Sequence, residues 1–278
     1  MNVDLLLEPF ALRALAASVA VGVAAPVIGS FLVQRRLALI GDAMGHLAFA
    51  GVGLGVLVGV SPVWGALAVA VLGGVALERL RMRGQLGGDL TLALVFYAGI
   101  AGGVVILSAS GRFDASVIGV LFGSILTASW GDVALIAGLC VAVVLVTAVF
   151  YQPLLAVALD EDTARAAGLP VDGLNLLLVS LTAVLVTAGM RAVGLLLVAA
   201  LLVVPVASGA RLAHSFLGSV RWAVLIGVLS AVGGLMVALL EGSLAPGGTI
   251  VLASLVAFGV ATAAGRRVAR RHRPGVAR

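Results

Sequence analysis

The sequence predicts an all-α integral membrane protein, a polytopic helical bundle of about nine transmembrane helices, with eight to ten possible. Three observations predict it. Of the 278 residues, 62% are hydrophobic and only 10% charged, against roughly 45 to 50% and about 25% in a soluble domain, so the surface must face something other than water. The mean hydropathy is +1.25. The apolar residues fall in runs of about 20, the length a helix needs to cross the hydrocarbon, and little chain remains for a soluble domain. Residues 1–278 are therefore expected to form a single transmembrane domain with a short tail at 265–278.

Apolar runs recur at 10–33, 37–60, 62–78, 90–109, 132–151, 173–190, 192–208, 220–240 and 248–264. The first follows Asp4 and Glu8, with no basic residue before Arg13. A cleavable signal peptide has the opposite charge, so this run is read as a retained helix. The pairs Gly41/Gly45, Gly51/Gly55 and Gly99/Gly103, each four apart, make small faces on which helices can approach closely. The stretch Ser116 to Trp130 is apolar but too short for a crossing, and suits a re-entrant or interfacial piece. Cys140 stands alone in the fifth run, without a partner for a disulfide or a thiolate cluster, and is read as a small buried apolar residue. Between Leu159 and Pro170 the pattern predicts a helix of about two turns. Asp160 would cap it, Glu161 and Asp162 suit the positive end of its dipole, and Gly168 followed by Pro170 would stop it. Arg191 is expected in a turn, and the run after it is interrupted late by Pro205, which removes a backbone hydrogen bond.

All 17 basic residues are Arg. Without Lys the chain has neither a phosphate-binding P-loop nor a Schiff-base site, which excludes an ATPase subunit and retinal-type or pyridoxal-type chemistry. Arg35, Arg36, Arg79, Arg81, Arg83, Arg165, Arg211, Arg221 and the six Arg from Arg266 onward fall on one side of the nine-span arrangement. Arg112 and Arg191 fall on the other. Cytoplasmic loops retain positive charge, so the N-terminus is expected outside and the C-terminus inside. The pI near 10.9 then reflects topology rather than nucleic-acid binding. Trp64 and Trp130 fall at outer boundaries and Trp222 near an inner one, as interfacial aromatics should.

Asp42 and His46 lie within the second run. If that helix begins near Leu37, a rise of about 1.5 Å per residue puts Asp42 roughly 7 to 8 Å and His46 roughly 13 to 14 Å along it. Four residues apart, their side chains share one helix face. A charge at such depth costs about 2.5 to 3.5 kcal/mol, so the pair needs a partner or a wet cavity. Three readings remain open: a mutual hydrogen bond between packed helices, a proton relay, or a site for a divalent transition metal. Imidazole plus carboxylate suits zinc, manganese or iron. Two ligands are too few for a closed site, so a second copy or other segments would have to complete it. The helix at 160–168 is likewise either an ordinary capped loop helix or a docking element for a soluble partner.

Arg35-Arg36 leading into Gly41-Asp42 and His46, the capped helix ending Ala167-Gly168-Leu169, the run Gly194 to Pro205, and Pro246-Gly247-Gly248-Thr249-Ile250-Val251 together resemble the zinc and manganese permease family of ATP-driven transporters. The resemblance covers nearly the whole chain. It implies the membrane subunit of an importer for zinc, manganese or iron ions, with no catalytic activity of its own and no permanently bound cofactor. Implied partners are a second copy of the chain, cytoplasmic ATP-binding subunits and an extracytoplasmic metal-binding protein. The implied location is the bacterial plasma membrane, crossed many times. Carried over to this chain, Asp42 and His46 match the residues that meet the ion, while Asp160, Glu161, Asp162, Ala164, Arg165, Ala166 and Gly168 match the helix that docks on the ATPase. One departure is Gly45, where family members usually have Ser. The competing expectation is an ATP-independent secondary transporter or channel for small ions, which would favour inverted repeats and paired broken helices. No convincing repeat is seen. An intramembrane hydrolase is disfavoured, since neither a Gly-x-Ser-x-Gly nor a His-Glu-x-x-His motif occurs.

Overall fold

The computed structural model describes residues 8–84, 88–110, 129–241 and 244–271. These form eleven helices: α1 (Pro9–Gln34), α2 (Ile40–Val58), α3 (Pro62–Met82), α4 (Gly88–Ala109), α5 (Trp130–Val149), α6 (Tyr151–Leu159), α7 (Glu161–Ala166), α8 (Val171–Val193), α9 (Leu195–Leu212), α10 (Phe216–Glu241) and α11 (Pro246–Arg271). Each of the nine apolar runs carries one of the long helices α1–α5 and α8–α11. Among the described residues eight helices are long and apolar enough to cross a membrane, and the apolar part of α9, Leu197–Leu212, is shorter. Most of the stretch Ser116 to Trp130, with Arg112, lies outside the described residues; its last two residues lead into α5.

The structure differs from the sequence pattern at several junctions. Helix α2 begins at Ile40, because residues 35–37 are spent on a turn. The Arg36 N–H donates to the Val33 carbonyl and the Leu37 N–H to that of Leu32, the bond pair that closes a helix C-terminus with one left-handed residue. That residue is Arg36, at φ 60°. The fifth run divides at Phe150, which ends α5 and leads into the separate helix α6. Pro205 does not interrupt α9, which continues to Leu212. Arg191 lies in the last turn of α8 rather than in a connection. Between α8 and α9 stands a single residue, Gly194, at φ 86° and ψ 156°, a region open essentially to glycine alone.

Helices α1, α2 and α8 form the centre, with 67% of their apolar windows buried against 28% for α3, α4 and α5. Helices α3 and α4 pack on α2, while α9, α10 and α11 form a second group that meets α1. Helix α5 lies against α1 and α8, and Cys140 on it is buried. The small faces expected from sequence all serve α2. A Cβ added at Gly51 would lie 2.7 Å from the Ala66 Cα on α3, and one at Gly99 of α4 would lie 2.7 Å from the His46 carbonyl carbon. On the third side, a Cβ at Gly41 would lie 2.6 Å from Leu202 Cδ1 of α9. Lipid gives helices no hydrophobic reason to associate, so close packing of this kind has to hold them together.

Charged side chains mark one end of the bundle. Arg35 after α1, Glu78 and Arg81 at the end of α3, and Glu161 at the start of α7 meet there. This is the common side that the Arg distribution requires for these three segments.

Gly51→Ala should separate α2 from α3 and cost about 1–3 kcal/mol, as overpacking does. Gly102→Ala, which has nothing within 4 Å of the added carbon, should instead stabilise by up to about 1 kcal/mol through helix propensity. Thermal unfolding of the two variants in detergent measures the difference.

Candidate functional site

Asp42 occupies the first turn of α2, which has no side-chain cap. The exposed backbone N–H groups of such a helix start favour a negative charge. His46 lies one turn further along, on the same face. Because α2 starts at Ile40, His46 is about 9 Å along the helix axis rather than the 13 to 14 Å expected from a start at Leu37. Both side chains are half-buried.

Asp42 borders a cleft of about 300 Å³ between α2 and α4, lined with it by Leu39 and Ala43 on one side and by Leu92, Ala93, Phe96 and Tyr97 on the other. The Phe96 ring meets the His46 ring nearly edge-on, with centroids 4.3 Å apart at 74°. This approach depends on Gly99, whose missing side chain lets α4 settle against the His46 backbone. Tyr97 stands perpendicular to Phe96 at 5.6 Å and is 67% exposed. Neither aromatic was singled out from sequence. Nothing in their spacing marks them apart from other apolar residues of α4.

The departure at Gly45 has a steric reason. The Leu195 side chain of α9 fills the space where a Cβ would stand, so Ser there would require Leu195 to move. No hydrogen bond joins Asp42 to His46, or either of them to another described residue. Among the described residues no group of three or more His, Cys, Asp or Glu side chains could hold a metal ion. One carboxylate therefore faces a mostly apolar cleft, and one imidazole stands a turn away against its Phe96 wall, an incomplete ligand set for a transition metal.

The second candidate element is α7. Asp160 caps it, with Oδ1 accepting from the Asp162 N–H at 3.0 Å and the Thr163 N–H at 3.1 Å. Gly168, at φ 82°, and Leu169 close its other end with bonds to the Arg165 and Ala164 carbonyls. This is the capped helix the sequence predicts. Its residues divide between two sides. Asp162, Arg165, Ala166 and Gly168 are exposed, and Arg165 donates to Asp172 on α8 at 2.8 Å. Ala164 corrects the docking expectation, for it is 3% exposed and belongs to the hydrophobic core. It anchors α7 to the bundle instead of presenting a surface. Glu161, partly exposed, pairs with the buried Arg35.

Fold and site together define a many-helix membrane protein with a metal-compatible pair beside a cleft and a capped helix at one end. The chain belongs to the ABC 3 transport family, which matches residues 8–265. It is 36% identical over 247 residues to a probable metal transport system membrane protein of Treponema pallidum (strain Nichols), a match covering 89% of this chain and 92% of that one. Against the manganese transport system membrane protein MntC of Halalkalibacterium halodurans the identity is 30% over 249 residues, covering 90% and 85%. Among solved structures, PsaBC from Streptococcus pneumoniae in complex with Fab matches with a TM-score of 0.82 at 28% identity, covering 93% of each chain.

The backbone N–H and hydroxyl of Thr163, with the Asp162 N–H, hold the Asp160 carboxyl below the usual carboxylate range. A depressed carboxylate pKa contributes stability above its unfolded value, and that contribution is lost as pH falls through the folded value. Amide exchange in α7, corrected for intrinsic rate, should therefore stay constant from pH 7 to about 5 and rise below about 3.9. Asp160→Ala should show the faster exchange at every pH.

Proposed function

We propose that this chain is the membrane-spanning subunit of an ATP-driven importer for divalent transition-metal ions, zinc, manganese or iron, and that Asp42 and His46 meet the ion on its way through. The observation that supports this best is the pair itself. In a family member whose relatives include metal transport membrane proteins, two metal-compatible side chains share one face of a central helix, Asp42 opening on a cleft and His46 packed against its Phe96 wall. A carboxylate cannot face lipid without large cost, so this face requires a water-filled path or a covering protein surface.

A second copy of the chain is the covering surface this reading adopts. Bringing two α2–α4 clefts together would supply two carboxylates and two imidazoles, enough donors for a transition metal, none of them a thiolate that would favour copper. The site is meant to be passed through. Conduction needs binding favourable enough to admit an ion and weak enough to release it, and a mixed oxygen and nitrogen set half-open to a cleft suits that. Cytoplasmic ATP-binding subunits supply the energy, docking on the exposed side of α7 formed by Asp162, Arg165, Ala166 and Gly168. An extracytoplasmic metal-binding protein delivers the ion. In this reading the chain spans the bacterial plasma membrane with its N-terminus outside and its C-terminus in the cytoplasm, on the strength of the Arg distribution.

If Asp42 and His46 bind the ion, Asp42→Asn and His46→Ala should each reduce uptake of radioactive zinc or manganese per assembled complex by at least about tenfold, the scale on which even outer-shell changes weaken a metal site. Were the pair only a packing contact, both variants would yield less folded protein while uptake per complex stayed normal. Orientation has its own check. In a Cys140→Ala background, Arg165→Cys should resist a membrane-impermeant thiol reagent in intact cells and react with it after the membrane is opened.

A further inference from the structure

Four charged residues at the α7 end of the bundle form a network that plays no part in holding the ion. Glu161 accepts a hydrogen bond from Arg35, and the same Oε1 lies 3.8 Å from Arg81 Nη2 and 3.4 Å from Asn175 Nδ2. One oxygen thus faces three segments: the α1–α2 turn, the end of α3 and the start of α8. Arg81 also pairs with Glu78 at 2.8 Å, and the Glu78 side chain is wholly buried. The Arg35 side chain is 5% exposed. Burial lowers its pKa, and the Glu161 carboxylate opposes that shift. Such a group is held in place, because a guanidinium this buried needs its carboxylate partner.

The network crosses a gap that packing leaves open. The backbone of α7 lies chiefly against α6 and α8, whereas Arg35 belongs to the turn that leads into α2. That turn is stiff. Arg36 and Leu37 close it with two backbone bonds, and the Ile40 N–H, at the start of α2, bonds back to the Leu37 carbonyl. Leu37 is buried beneath it. From Arg35 to Asp42 the chain is therefore a short bonded turn that leads through only three residues after Arg36 into α2, which leaves little slack to absorb a displacement.

We infer that the Arg35–Glu161 ion pair is the link through which movement of α7 reaches the first turn of α2, so that the two residues position Asp42 for the ATPase-driven step. This rests on the reading that α7 docks on the ATPase and that Asp42 meets the ion. Neither Arg35 nor Glu161 touches the ion. Arg81 and Asn175 hold Glu161 in register from the other two segments, and Glu78 balances the second Arg.

The test uses the assembled permease and ATPase complex in lipid vesicles, reading radioactive manganese or zinc uptake per ATP hydrolysed. Glu161→Gln should assemble and still hydrolyse ATP, while uptake per ATP falls at least about fivefold, the lower end of typical couplings between sites. Glu161→Asp, which keeps the charge, should recover much of that loss. An unchanged ratio in Glu161→Gln overturns the proposal, since a merely structural pair would alter yield and leave the ratio alone. In a Cys140→Ala background, Arg35→Cys with Glu161→Cys, bridged through two disulfides by a short bis-methanethiosulfonate reagent, should transport as well as or better than the unbridged form. Transport lost on bridging and regained on reduction would show that the two positions must part, which also overturns it; this arm decides the matter if Glu161→Gln does not assemble. Failure of the underlying reading looks different. Ala166→Trp would then leave ATPase binding and uptake intact, or Asp42→Asn would transport normally.

Discussion

Backbone contact around α2 is the constraint on which the rest of the molecule depends. In lipid the tails solvate Leu and Val as well as another helix does, so helices must gain their association from close approach and polar contacts. Three sets of glycines bring α3, α4 and α9 onto α2 until only backbone or a neighbouring side chain fills the space a Cβ would need. The cleft exists because of this arrangement. Gly99 fixes α4 against the His46 backbone, which brings Phe96 to the imidazole and leaves the opening beside Asp42. Helices seated backbone to backbone cannot adjust by changing rotamers, so α2, α3 and α4 are suited to shift as a block.

Polar contacts in the bundle are distributed differently. Hydroxyls such as those of Ser30, Thr147, Thr182 and Ser208 bond to the carbonyl four residues earlier in their own helices, which satisfies them locally without joining two helices. Ionic contacts between separate segments concentrate at the α7 end, where Glu161 faces Arg35 and Arg81. Apolar packing thus sets where the helices lie, while charge connects the surface helix α7 to the turn that leads into the helix carrying the candidate ligands. This separation lets the site stay sparse.

Much of the fold was legible in the sequence because the membrane imposes it. A crossing demands length and apolarity together, and each of the nine runs became a helix. The capped helix at 161–166 was equally legible, since its signals, Asp160 and Gly168, are local. Legibility ended where partners are remote. The run through Val149 and Tyr151 gives no hydropathy break at Phe150, so α6 was not separated from α5. The start of α2 was misplaced because an Arg, not a glycine, takes the left-handed position at Arg36. The shared face of Asp42 and His46 follows from their spacing, whereas Phe96 and the cleft depend on which face α4 presents. Which side of α7 is buried could not be read from six residues, and Ala164 was accordingly assigned to the wrong one. Arg35 and Glu161 stand 126 residues apart, and no local pattern links them.

The single residue between α8 and α9 also governs how the protein is made. Gly194 leaves no length of chain for α8 to enter the bilayer while α9 waits outside it, so the two must insert together as a hairpin. Their mutual contact would then form before either meets α1 or α2. The shorter apolar stretch of α9 would be carried in by its longer neighbour instead of being recognised alone. A side chain at Gly194 would oppose the turn at the moment the hairpin forms, when no surrounding bundle exists to hold it.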